Sequence, residues 1–216
     1  MQLSMSGLWW VLGTAVVGLG LGAASSALTR RLLRDTSEIV SSWWLGAVVT
    51  AALLALLAWR VSDRGEFAVY GFAAVLGVPL AVVDWCEHRL PRQLAWPQLA
   101  GVVAGFGALC LARHDAEPGV RAVGALLAAG ALLLVLAVLT NGGVGAGDIV
   151  VAAVVGAVTG WTGWPQAAGS LVVASVLALL MLVIPGAHRS ATQGDSTVPF
   201  GPCLFGGALV MILTSG

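Results

Sequence analysis

Two aspartates carry the chemistry this sequence offers. Asp84 stands in "AVVDWCEHRLPRQLAWP", at the end of one apolar run, and Asp148 closes "GVGAGD" between two others. A carboxylate at membrane depth costs about 2.5–3.5 kcal/mol even on insertion scales, so its presence calls for a purpose. Two carboxyls within hydrogen-bonding reach repel when both are charged and instead share a proton. One then serves as acid and the other as base, and together they activate a water against a peptide carbonyl without metal, serine or cysteine. The glycines fit that use. Gly143, Gly145 and Gly147 remove side chains around Asp148. They leave room for a substrate backbone or a second helix, and let the chain stay irregular where protein or water satisfies it.

The elements that must position these acids are transmembrane helices. Of 216 residues, 59% are hydrophobic and 9% charged, and the mean hydropathy is +0.97. So few charges cannot cover a soluble domain of this length, whereas apolar stretches near 20 residues match a bilayer core. The expected fold is all-α: a polytopic integral membrane protein of about eight helices, over 7–29, 40–59, 67–86, 94–113, 119–140, 148–164, 166–186 and 200–215. The polar links are too short for a soluble insert, so residues 1–216 read as a single domain with a catalytic core from about 67 to 216. The N-terminus lacks a basic region and a cleavage site, so the first segment reads as a retained span.

Composition also excludes. Zero formal net charge leaves no basic footprint for nucleic acid. Cys86, Cys110 and Cys203 form neither a CxxC nor a Cys/His cluster, so neither a metal nor any other cofactor is expected.

All nine tryptophans fall near the ends of the expected spans, where amphipathic rings prefer to sit. Arginines set the orientation. Arg30, Arg31, Arg34, Arg89, Arg92 and Arg189 share one side, and Arg60, Arg64, Arg113 and Arg121 the other. The richer side reads as cytoplasmic. By link parity Asp84 and Asp148 both lie on it.

"GVGAGD" resembles the GxGD signature of intramembrane aspartyl proteases. Asp84, followed seven residues later by Pro91 and then by Leu94 and Pro97, is similar to the first catalytic motif of type IV prepilin peptidases. "VPFGP", Val198 to Pro202, resembles that family's last motif, and "GLGLGAASSALTRRL" its opening helix. The PAL motif of presenilin-type proteases is absent. The resemblance implies a membrane aspartic endopeptidase that removes short leaders from pilin-like precursors at the cytoplasmic face of the cell membrane. Asp84 and Asp148 would be catalytic, with Gly145, Gly147, Pro91, Pro199, Gly201 and Pro202 around the substrate. The link after the first span is about ten residues long and free of cysteine, which implies a short form without the methyltransferase and zinc insert. Two positions depart from the family pattern: Val150 stands where a lysine is usual, and Arg92 where Asp or Asn is usual.

Plainer roles stand beside these. Asp84 could be an interfacial acid beside Arg89 or Arg92, and Glu87 and His88 solvated link residues. Gly18 with Gly22, and Gly101 with Gly105, have the spacing of close helix packing. Arg113, His114, Asp115 and Glu117 read as a plain loop. Two other functions stay open: a non-catalytic assembly scaffold, and a proton-coupled transporter. Against the latter, the acids sit at span ends rather than centres.

Overall fold

The computed structural model describes residues 5–32, 43–87, 90–140, 145–183 and 200–215. These form eight helices: α1 (Met5–Leu32), α2 (Trp43–Arg60), α3 (Arg64–Glu87), α4 (Arg92–Arg113), α5 (Glu117–Leu139), α6 (Ala146–Thr162), α7 (Trp164–Val183) and α8 (Phe200–Thr214). No strand occurs among the described residues. The protein is an all-α, polytopic membrane protein, and each helix matches an expected span to within a few residues. Helices α1, α3, α4, α5 and α7 are long and apolar enough to cross a bilayer; the apolar stretches of α2, α6 and α8 are shorter.

Where helices begin and end has local causes. Asp63 accepts a hydrogen bond from the Glu66 backbone N–H at 2.9 Å and so caps the start of α3. α4 ends at His114, whose φ of 52° is left-handed and breaks the helical run. α5 opens with Glu117 and Pro118, an acid and a proline in the first turn, where both are favoured.

α6 lies in the middle, packed by α4, α5, α7 and α8. Every residue from Val151 to Trp161 is buried, as befits a helix that is apolar on all sides. Small residues let α5 come close. A Cβ at Gly156 would sit 2.4 Å from the Ala125 carbonyl oxygen, and one at Gly160 would meet the Ala125 Cβ. α1 and α2 form a hairpin by the same device, Gly18 against Ala51 and Gly22 against Ala47. Gly101 and Gly105 seat α4 against Phe72 and Val69 of α3, the packing role their spacing suggests.

Most tryptophans with described side chains face outward: Trp9, Trp44, Trp59, Trp85, Trp96 and Trp164 are exposed. Trp161 departs from the interfacial pattern. It is buried, with its ring stacked on Phe106 at 4.4 Å between centroids.

The end of the bundle remote from Asp84 is tied by arginines. The Arg60 guanidinium of α2 donates to the carbonyl oxygens of Leu213, at 2.9 Å, and Ser215, at the end of α8. Arg121 of α5 donates to those of Gly160 and Trp161, closing α6. Arg113 pairs with Asp63 and Glu66, both at 2.7 Å. The plain-loop reading of Arg113 is thereby corrected: this side chain joins the end of α4 to the start of α3. Cations at helix C-termini also complement the dipole there.

Candidate active site

Three helix ends meet at the opposite pole. Asp84 is in the last turns of α3, between the fully buried Leu80 and Val83 and the interfacial Trp85, and is itself only 4% exposed. Burial of this kind demands a partner, and α8 supplies it. The Gly201 backbone N–H donates to Asp84 Oδ2 at 2.8 Å. Gly201 is the second residue of α8, so its N–H is one of the amides a helix leaves free at its start. The absence of a side chain is required: a Cβ there would stand 2.8 Å from Oδ2 and 3.3 Å from Cγ.

Asp148 sits at the third position of α6. Its Oδ2 accepts the Gly145 N–H at 3.1 Å, and the Asp148 N–H donates back to the Gly145 carbonyl at 3.0 Å. An acid reaching back to the residue that opens its helix is half of a capping box. The other oxygen, Oδ1, is buried and has no hydrogen-bond partner among the described residues. The Asp84 carboxyl lies within electrostatic reach of Asp148. Each carboxyl thus has one oxygen held by a glycine amide, Asp84 at the end of α3 and Asp148 at the start of α6.

Leu90 and Pro91, just before α4, close one flank. Leu90 packs on Gly147, where a Cβ would meet the Leu90 Cβ at 2.4 Å and its carbonyl oxygen at 3.0 Å. Pro91 opens α4, its carbonyl accepting the Leu94 and Ala95 N–H groups at 3.0 and 3.2 Å. Pro202 stands in the first turn of α8, and Pro199 and Gly143 lie outside the described residues. Val150 is partly buried in the apolar core, and Arg92 is exposed at the start of α4. Leu90 escaped the sequence reading. The available signal was an apolar residue directly before proline in the charged run "CEHRLPR". No group of three or more His, Cys, Asp or Glu with metal-holding geometry occurs among the described residues.

Residues 71–184 match the model of the type IV leader peptidase family. The chain belongs to that family. No curated protein and no solved structure matches it. Membership supports leader peptidase activity at the level of the family, and with it a protease. The matched region runs from α3 into α7 and contains both aspartates. It stops short of Gly201, so the amide that holds Asp84 comes from beyond it.

Proposed function

We propose that this chain is an aspartic endopeptidase that cuts short leaders from type IV pilin-like precursors at the cytoplasmic face of the cell membrane. Asp84 and Asp148 are its acid and base. The observation that carries this reading is the presence at one pole of two carboxyls, one buried and one partly buried, each with one oxygen fixed by a glycine amide. In the step proposed, the ionised carboxylate takes a proton from water as its oxygen attacks the scissile carbonyl carbon. The protonated partner gives its proton to the departing amide nitrogen as the C–N bond breaks, and the shared proton is restored by exchange with water. Amides at the starts of α6 and α8 hold the two carboxyls before substrate arrives, which shortens the search for a reactive geometry.

The cytoplasmic assignment follows the arginine bias of the sequence, and Arg92, at the start of α4, stands on the pole of the two acids. Substrates are proteins with a basic leader followed by a hydrophobic helix, and the bilayer is the common solvent of both. Residues 1–216 act as one peptidase unit. Gly145, Gly147, Pro91, Pro199, Gly201 and Pro202 shape the site around the carboxyls. No cofactor enters the step proposed. One specific feature favours a second reading, the non-catalytic scaffold: Asp148 caps α6, a structural job that needs no chemistry. Co-expression with a pilin-like precursor separates the two. The peptidase shortens the precursor by the mass of its leader, and the scaffold leaves its size unchanged.

A further inference from the structure

A cavity of about 470 Å³ runs along α3, and none of its lining residues is charged. Three helices build most of its walls, and α1 adds Ser25 and Ser26. α2 lines it from Leu45 to Leu57, α3 from Cys86 to Tyr70, and α8 from Pro202 to Ile212, with α6 as the floor. On α3 that stretch covers 16 residue steps, roughly 24 Å of helix rise. One end is at the carboxyl pole, since Cys86 follows Asp84 by two residues and Pro202 follows Gly201. Among the described residues α2 and α8 do not pack extensively on one another, and Arg60 ties them at the remote end. The cavity is therefore a groove that opens between two helices and is pinned at its far end.

We infer that this groove holds the transmembrane helix of the protein being cut, lying along α3 with its leading end at Asp84. The inference rests on the peptidase reading. Three features select the occupant. The groove is uncharged for its whole length, so it accepts an apolar helix and rejects one bearing charge. Its length approaches the thickness of a bilayer core. Its end at Trp85, Cys86 and Pro202, neighbours in sequence of Asp84 and Gly201, brings the residue before such a helix toward the carboxyls, which a cut at the boundary of leader and helix requires. An acyl chain needs only the first two features, and is the competing occupant.

The test uses the full chain carrying Asp148→Asn, reconstituted in liposomes with a probe precursor. The probe has a short arginine-bearing leader, about twenty alanine, leucine and valine residues, and a tag. A photoreactive benzophenone amino acid replaces Val49 or Leu209, which line the groove, or Leu127 on the outer surface of α5. On illumination the Val49 and Leu209 variants are expected to shift by the mass of the probe, with adducts mapping to its apolar helix. Leu127 should stay at background. Equal shifts from all three positions, or adducts to lipid alone in the groove, overturn the inference. Val49 is already half exposed, so its replacement keeps the test valid if the Leu209 variant fails to fold. The chain with both aspartates intact is run on the same probe. Cutting without groove adducts refutes the groove and leaves the peptidase reading standing. Groove adducts without cutting refute the peptidase reading, and the absence of both refutes both.

Discussion

The Gly201 amide holds the Asp84 carboxyl across 117 residues of sequence, at 2.8 Å and in a buried setting. This one bond brings the start of α8 to the end of α3 and fixes the rotation of the carboxyl. Gly201→Ala retains the N–H but puts a methyl 2.8 Å from Oδ2. The carboxyl must turn away, by an amount comparable to displacements that cost up to a hundredfold in rate. Cleavage per folded molecule is expected to fall roughly tenfold to a hundredfold, with thermal stability in detergent little changed. Unaltered cleavage would mean that this amide does not set the geometry of the reaction.

The glycines at the other carboxyl separate packing from chemistry. Gly147→Val collides with the Leu90 backbone and displaces the start of α6, whereas Gly145→Val meets only Asp148 itself. Both should reduce cleavage normalised to folded protein. Gly101→Val and Gly105→Val strike Phe72 and Val69 on the far stretch of α3. These should lower the yield of folded protein and leave normalised cleavage near wild type. Equal specific activity in all four variants would make every one of these glycines structural.

Arg121 is far from the carboxyls, and its loss should affect stability alone. Its guanidinium satisfies the Gly160 and Trp161 carbonyls, and hydrogen bonds from charged donors contribute about 1.5–3 kcal/mol each. Its pair with the exposed Glu117 adds little. Arg121→Gln is expected to lower the unfolding midpoint in detergent while cleavage per folded molecule holds. A fall in specific activity without loss of stability would contradict this division of labour.

Asp63 offers a pH dependence outside the spans. The Glu66 backbone N–H, and then the Arg113 guanidinium, hold its carboxyl below the usual carboxylate range. A folded-state value below the unfolded one adds stability above the unfolded pKa, and that stability is lost as pH falls through the folded value. Asp63→Asn should therefore be less stable than wild type near neutrality, and the gap should close in acid. Melting curves compared at neutral and acidic pH check this. A gap that widens in acid reverses the sign and refutes the assignment.

Hydropathy made the helices legible because bilayer thickness fixes their length, and the eight boundaries needed no tertiary information. The cap of α3 went unread, although "DRGE" places Glu66 three residues after Asp63, a helix-start pattern. Trp161 was not legible, since a tryptophan at a span end belongs at the interface unless a remote ring such as Phe106 claims it. Asp84 and Asp148 stood out as acids in apolar surroundings, but nothing local to Asp84 indicates that Gly201 will hold it. Gly147 read as room for a substrate, and the space beside it is taken by Leu90. Such packing partners depend on which links fold over which helix ends, and residue spacing carries no record of that.

The most direct test is removal of each carboxyl from the full chain co-expressed with a pilin-like precursor. An amide neither accepts the proton of an attacking water nor donates one to a leaving amine. Asp84→Asn and Asp148→Asn should each abolish leader removal at wild-type levels of membrane-inserted protein. The double variant should be no worse than either single, since a two-carboxyl unit fails when one member is lost. Substantial cleavage by either single variant would contradict the acid–base pair.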